Sequence, residues 1–220
     1  MLPRVMEATH VRLGRFDRKV RRETAHGHLL GVDEVGRGCV AGPVVAAAVV
    51  LPERPRLAGL DDSKQLPRAE RERLAIEIRA QAIAWAFAFV GPRGIERHNI
   101  RGASLIAMRR AVHRAVRRFP GPAFVLVDGV DVIPGVDLPQ RSVIEGDGTS
   151  LAIAAASVLA KTVRDAFMIR LGLEFPLYGF ERHKGYGTEE HLEALDVHGP
   201  CTWHRYTFSP VAQMSLFSIA

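Results

Sequence analysis

Four acidic residues stand where they do nothing for solubility. Asp33 and Glu34 follow the apolar run Leu29-Leu30-Gly31-Val32, Asp128 closes Phe124-Val125-Leu126-Val127, and Asp165 lies on an alanine-rich, helix-forming stretch. A carboxylate at the end of a buried strand costs desolvation free energy unless it is paired, hydrogen-bonded or bound to a cation. A cluster of them points to hard divalent metal ions held by oxygen ligands. Asp33 and Glu34 are chain neighbours, so a regular strand turns them to opposite faces, and they serve one site only if the strand ends there. The glycine-rich turn Gly36-Arg37-Gly38 supplies such an end. Ser157, Lys161 and Asp165 recur every fourth residue and share one helical face. Singly, each acid reads equally well as structural, and Lys161 with Asp165 as a simple ion pair. Together they point to a metal site.

The elements that must position these groups are legible from periodicity. Leu29–Val32 and the β-branched stretch Val44–Leu51 flank the glycine-rich turn and read as a hairpin. Leu74, Ile78 and Ala82 recur at helical spacing behind Pro67, which predicts a helix over 67–82. Trp85, Phe87 and Phe89 alternate with alanines, the period of a third strand. Leu105, Met108, Val112, Val116 and Phe119 mark an amphipathic helix that ends before Pro120, with Arg109, Arg110, Arg114, Arg117 and Arg118 on its other face. Phe124–Val127 reads as a strand buried on both faces, and Arg141–Ile144 as a short fifth strand. A long helix over 150–171 follows, then an aperiodic functional loop from Leu173 to Gly187. Thr188 with Glu189 and Glu190 behind it has the form of the N-cap and first turn of a final short helix. Strands first, then alternation with helices, predict one α/β domain around a mixed sheet.

With 220 residues, 47% of them hydrophobic and 25% charged, the chain has the composition of an ordinary globular protein, which excludes the disordered, collagenous and membrane classes. Its longest apolar run is far short of the roughly 20 residues that span a bilayer. Cys39 and Cys201 are too few for a disulfide framework, and reduced thiols in the cytoplasm are the expectation. Cys201 and His204 are spaced Cys-x-x-His, with His183, His191 and His198 nearby, but a zinc site needs about four ligands at set spacings. The net charge of +6 suggests an acidic partner such as nucleic acid. That charge is uneven: residues 1–24 hold seven basic residues against three acids, and the body is nearly neutral. A basic N-terminal extension over 1–27 thus precedes the domain, either as a phosphate-contacting arm or as a solvated tail.

These residues resemble type 2 ribonuclease H (ribonuclease HII). The likeness is carried by Gly31-Val32-Asp33-Glu34-Val35-Gly36-Arg37-Gly38 with Ala41–Val49 behind it, Asp62-Ser63-Lys64-Gln65-Leu66, Leu126-Val127-Asp128-Gly129, Ile153–Lys161 with Arg164-Asp165, His183–Thr188, and His204-Arg205 before Phe208-Ser209-Pro210-Val211. Seven motifs in order over about 28–212 leave chance agreement negligible. Gly146-Asp147-Gly148-Thr149 departs mildly from the family's usual continuation, and residues 1–27 lie outside the resemblance.

The resemblance implies a ribonuclease H-like fold, a mixed five-stranded sheet flanked by helices with a C-terminal helical region, in a catalytic domain over 28–220. It implies an endonuclease that hydrolyses the RNA strand of RNA–DNA hybrids and nicks duplex DNA 5′ of embedded ribonucleotides. Two Mg²⁺ or Mn²⁺ ions on Asp33, Glu34, Asp128 and Asp165 would leave 3′-hydroxyl and 5′-phosphate ends. Gly36, Arg37 and Gly38 would read the 2′-hydroxyl, Tyr186 would stack on the adjacent deoxyribose, and Lys64, Ser157, Lys161 and Lys184 would contact substrate. His183 is a further candidate for orienting water or substrate. The expected partners are RNA–DNA hybrids and duplex DNA containing ribonucleotides, with no membrane, and the protein is expected to be a cytoplasmic monomer. Two other readings account for less. A structure-selective DNA nuclease of the ribonuclease H-like group shares the acids but has no reason to cut only beside ribose. A binding module using the basic arm and the arginine face leaves the acids unexplained.

Overall fold

The computed structural model describes residues 2–119, 121 and 123–213, and for residues 2–10 only the backbone. Five strands form one mixed sheet in the order β3-β2-β1-β4-β5. β1 (His28–Val35), β2 (Val44–Val50) and β3 (Ala84–Val90) make an antiparallel meander, while β4 (Ala123–Asp128) and β5 (Gln140–Val143) continue it in parallel from β1. The predicted hairpin, third strand and mixed sheet are all present.

Composition dictates which strand lies where. β2 reads Val-Val-Ala-Ala-Ala-Val-Val and every residue is buried, as a central strand covered on both faces must be. In β3 the alanines and Val90 turn to the fully covered side and Trp85, Phe87 and Phe89 to the half-open one, which gives the period-two pattern its meaning. One face is covered by α3 (Pro92–Val116), whose Ala103, Ala107, Met108, Ala111 and Val112 pack on Val32, Val44 and Val125. The other is covered by α4 (Leu151–Glu174) and α2 (Arg68–Gln81).

α3 begins earlier than the hydrophobic spacing indicates. Its two segments meet at Asn99, where φ is +53°, and Asn99 Oδ1 accepts from the Gly102 N–H at 3.0 Å to start the second segment. α4 is held close to β1 because Gly31 has no side chain: a Cβ there would stand 2.1 Å from the Ala152 carbonyl. This close approach sets α4 against the strand that carries Asp33.

Two further expectations are corrected. The segment Leu173–Gly187 contains a 3₁₀ turn at Pro176–Tyr178 and a short helix, α5 (Phe180–His183), before α6 (Glu189–His198), which Thr188 caps as predicted. The N-terminal arm is not a solvated tail. It is a helix, α1 (Leu2–Thr24), whose Leu13 and Val20 are buried. Its Asp17 accepts from Ser150 Oγ at 2.7 Å and from the Ala152 N–H at 3.0 Å, across the first turn of α4. Arg12 Nη1 donates to the Gly148 carbonyl at 2.7 Å, and Glu23 pairs with Arg141 of β5 at 3.1 Å. Among the described residues no helix is long and apolar enough to cross a membrane.

Candidate metal centre and nucleic-acid interface

The parallel register of β1 and β4 sets the site. Val32 is level with Val127, so Asp33 and Asp128 are the next residues on neighbouring strands and both turn toward the α4 side. β1 continues through Val35 against β2, so Glu34 turns to the α3 side. It still reaches the same end of the sheet because β4 stops at Asp128. A cleft of about 350 Å³ there is lined by Glu34, Arg37, Arg101, Ser104, Asp128 and Asp131, among others.

A fourth buried acid belongs to this cluster. Asp147, only 6% exposed, sits in the 3₁₀ turn Gly146–Gly148 that leads into α4, and its charge raises the pKa of both Asp33 and Asp128. The same turn donates the Gly146 N–H to Asp128 Oδ1 at 2.7 Å. Flanked by glycines, Asp147 reads in the sequence as part of a loop. The signal available was an acid held between small residues just ahead of a buried helix.

The structure places Asp165 elsewhere, and this corrects its grouping with the other acids. It lies two turns beyond Ser157 on α4, bonded to Lys161 Nζ at 2.8 Å and facing Arg71 at 3.7 Å. The ion pair suggested by the i, i+4 spacing is what forms. Around it gather Arg68, Lys161 and Lys184; burial first, and then repulsion from Arg68 and Lys161, lowers the Lys184 pKa. Asp165 therefore organises a basic patch.

The electrostatics of the cluster follow from crowding. Asp33 is raised well above the ordinary carboxylate range, first by burial and then by Glu34 and Asp128. Glu34 is raised by burial against the opposing pull of Arg37, which bonds it at 3.0 Å. Asp128 is raised by burial and by Asp147. Ser157 favours the ionised form of Asp33, and its hydroxyl meets that of Ser63 at 2.8 Å, so Ser63 supports the site from the loop that carries Lys64. Lys64 Nζ pairs with Asp147 at 3.0 Å.

Among the described residues no three acidic, histidine or cysteine side chains converge on one point. Arg37 draws Glu34 aside, Lys64 draws Asp147 aside, and the Gly146 amide holds Asp128. The donor set nevertheless fits hard divalent cations: several all-oxygen ligands share a site whose unneutralised charge already disfavours ionisation. Lys64 and Arg37 occupy, as cations, the places a metal's charge would compensate.

The Gly36-Arg37-Gly38 turn is built from beneath by two fully buried arginines. Gly36 has φ +94°, and a Cβ on it would strike Arg164 Nε at 2.2 Å. Arg164 donates to the carbonyls of Pro43, Ala41 and Lys184, and Arg205 to those of Gly36, Arg37 and Gly42. A Cβ on Gly38 would meet nothing in the protein, so that face of the turn is open. Tyr186 is 42% exposed, with Lys161 Nζ 5.9 Å from the centre of its ring. Lys184 turns its ammonium back to the carbonyls of Glu181 and Arg182. His183 is turned away from the cleft, with both ring nitrogens bonded to main-chain groups of Tyr178 and Gly185. His204 has both nitrogens engaged, by Cys201 N–H and His191, which removes the zinc reading.

A mixed five-stranded sheet with buried acids where β1 and β4 end defines a ribonuclease H-like nuclease. Residues 30–211 match the family model "Ribonuclease HII". Ribonuclease HII of Acidovorax sp. strain JS42 is 49% identical over 187 residues, covering 85% of this chain and 88% of the relative. That of Xanthobacter autotrophicus is 54% identical over 186 residues, 84% and 73% of the two chains. The chain belongs to the ribonuclease HII family and is a metal-dependent ribonuclease. RNase HII of Archaeoglobus fulgidus, solved in complex with PCNA, superposes with a TM-score of 0.68 at 27% identity over 83% of this chain and 95% of that one. Ribonuclease H2 of Pyrococcus horikoshii shares the fold, with a TM-score of 0.68 at 22% identity over 86% and 98%.

Proposed function

We propose that this endonuclease cuts the RNA strand of RNA–DNA hybrids and nicks duplex DNA on the 5′ side of an embedded ribonucleotide, leaving 3′-hydroxyl and 5′-phosphate ends. The observation that carries the reading is the adjacency of two surfaces: the acidic cluster of Asp33, Glu34, Asp128 and Asp147, and the turn Gly36–Gly38, whose main chain is fixed from below and open above. When bound, two Mg²⁺ or Mn²⁺ ions would supply activation of the attacking water and neutralisation of the leaving oxygen.

The chain's own residues do the rest. Asp33, Glu34, Asp128 and Asp147 hold the cations, with Asp147 taking the place first expected of Asp165. Ser157, backed by Ser63, orients Asp33 and offsets part of the pressure that burial and the neighbouring acids put on its ionised form. Gly36, Arg37 and Gly38 present main-chain groups to the sugar edge, where the 2′-hydroxyl separates ribose from deoxyribose. Tyr186 stacks on the neighbouring deoxyribose. Lys64, Lys161 and Arg37 meet phosphates, and Lys184 does so once its ammonium leaves the carbonyls of Glu181 and Arg182, with Asp165 and Arg71 fixing Lys161 in the patch. Reduced Cys39 and Cys201 fit work in the cytoplasm. Residues 28–220 form the catalytic domain, and the helix before it braces α4.

The test is incubation with Mg²⁺ or Mn²⁺ and a duplex carrying one ribonucleotide, beside an all-DNA duplex. A single cut 5′ of the ribonucleotide, and none in all-DNA, is expected. Cleavage of both would favour a structure-selective DNA nuclease, and binding without cutting a non-catalytic module.

A further inference from the structure

Three buried histidines lie behind the Tyr186 loop, and the hydrogen bonds around them leave one arrangement of ring protons. The Cys201 N–H donates to His204 Nδ1 at 2.9 Å, so the proton of neutral His204 is on Nε2. That nitrogen faces Nε2 of His191 at 3.0 Å and donates to it, which puts the His191 proton on Nδ1. From Nδ1 it goes to the Tyr186 carbonyl oxygen, 2.8 Å away. His183 closes the group: its Nδ1 accepts from the Gly185 N–H at 3.1 Å and its Nε2 donates to the Tyr178 carbonyl at 2.6 Å. The rings of His183 and His191 stack with centroids 4.2 Å apart, and Phe180 meets both edge-on. Burial holds His191 and His204 neutral, each lowered to about 4. A charged ring would have no acceptor to offer its neighbour.

We propose that His191, set in its tautomer by His204, is a positioning residue for Tyr186, fixing the main chain from which the exposed ring is presented to the nucleic acid. A half-exposed ring is not held by packing alone: its hydroxyl meets Cys39, and the rest of its placement depends on its backbone. Here the Tyr186 carbonyl accepts from the Thr188 N–H at 2.9 Å and from His191, a buried donor with one possible direction. The Tyr186 N–H is bonded to the His183 carbonyl at 3.1 Å, so both ends of the residue return to the histidine group.

The inference rests on the reading of Tyr186 as a substrate-facing residue, and one double-mutant cycle separates the two. Single-turnover nicking of a duplex carrying one ribonucleotide is measured with Mn²⁺ for the wild type, Tyr186→Ala, His191→Phe and the double variant, with thermal melting of each. His191→Phe is expected to slow nicking roughly tenfold, as a small misplacement at a reacting site does, yet to cost little more once the Tyr186 ring is gone. His191→Asn, which keeps a donor near the Nδ1 position, should recover most of the rate, and His204→Gln provides a second route into the relay if His191→Phe does not fold. Equal slowing by His191→Phe in both backgrounds, or no recovery with His191→Asn, overturns the inference while leaving Tyr186 in the site. No effect of Tyr186→Ala overturns both.

Discussion

The guanidinium of Arg205 lies beneath Gly36 and donates from Nη2 to its carbonyl oxygen at 2.6 Å. Its Nη1 and Nε reach the carbonyls of Arg37 and Gly42 at 2.9 and 3.0 Å. Among the described residues neither Arg205 nor Arg164 has a carboxylate within ion-pair distance. Burial lowers Arg205 to about 10, which leaves it charged at neutral pH. Two uncompensated positive charges thus stand behind the turn that faces the sugar–phosphate chain and partly offset the acids beside it. Main-chain dipoles take the place of counter-ions.

A planar fork with donors in three directions is what this turn requires, and lysine does not supply it. Arg205→Lys should leave at least one buried carbonyl unsatisfied, at a cost of about 1–3 kcal/mol. In a domain of this size each kcal/mol lowers Tm by about 2–4 °C. Nicking at a single ribonucleotide should fall further than the melting shift accounts for, because the sugar-facing turn loses its support. An unchanged Tm in Arg205→Lys would remove the clamp from the account.

The acidic cluster is held at the expense of stability. Asp33 is pressed from its ordinary range by burial and by three neighbouring carboxylates, Glu34, Asp128 and Asp147, so its ionisation costs more in the folded chain than in the unfolded one. Asp33→Asn should abolish nicking and, without divalent metal, raise Tm at neutral pH by a few degrees, given about 2–4 °C for each kcal/mol. Adding Mn²⁺ should raise the wild-type Tm and narrow that gap. A metal-free Asp33→Asn protein that melts below the wild type would contradict the crowding.

Asp147 and Asp165 should separate cleanly. Asp147→Asn removes a charge felt by both Asp33 and Asp128, and should lower nicking by at least the ten- to a hundredfold (roughly) that even a supporting group is worth at a metal centre. It should also raise the metal concentration needed. Asp165→Asn loosens Lys161 and should act on duplex affinity and its salt dependence, with the metal requirement unchanged. Metal titrations of the two variants decide the matter, and a shifted metal requirement in Asp165→Asn would return that residue to the centre.

How much of this was legible in the chain depends on the range of the interaction. Strands β1 to β4 and the capped helix α6 announce themselves because burial and local caps write period and residue type into a few neighbouring positions. Asp33, Glu34 and Asp128 were visible as acids misplaced in apolar runs. Asp165 carried the same signature, yet its surroundings proved basic, because Arg71 and Lys184 arrive from other elements and no local pattern announces them. Asp147 was hidden by its glycines, and Arg164 and Arg205 by their type, since arginine is expected at the surface. By its charge the α1 arm reads as a surface element, and its burial depends on Leu13 and Val20 joining the core and on Asp17 meeting Ser150 and Ala152, more than a hundred residues away.

The last of these contacts carries a pH signature. Asp17 is 2% exposed, and burial raises its pKa to about 6, against the pull of Ser150, the Ala152 amide and Arg21. A folded pKa above the unfolded one means the folded state binds the proton more tightly. The stability from this group is therefore full below about pH 4 and is lost as pH rises through about 6. With roughly two pKa units at about 1.4 kcal/mol each, the change is on the order of 3 kcal/mol. Asp17→Asn keeps an acceptor for α4 and cannot ionise, so the difference in unfolding free energy between variant and wild type should grow between pH 4 and 7. Comparing the two proteins cancels the opposite slope of His191 and His204, whose lowered values make the fold lose stability as pH falls from about 6.5 toward 4. Removing residues 1–24 should destabilise the protein, since Leu13, Val20 and the Asp17 contact leave together. Chemical denaturation at several pH values checks both, and a difference that stays flat with pH would show that Asp17 is not ionised against its burial.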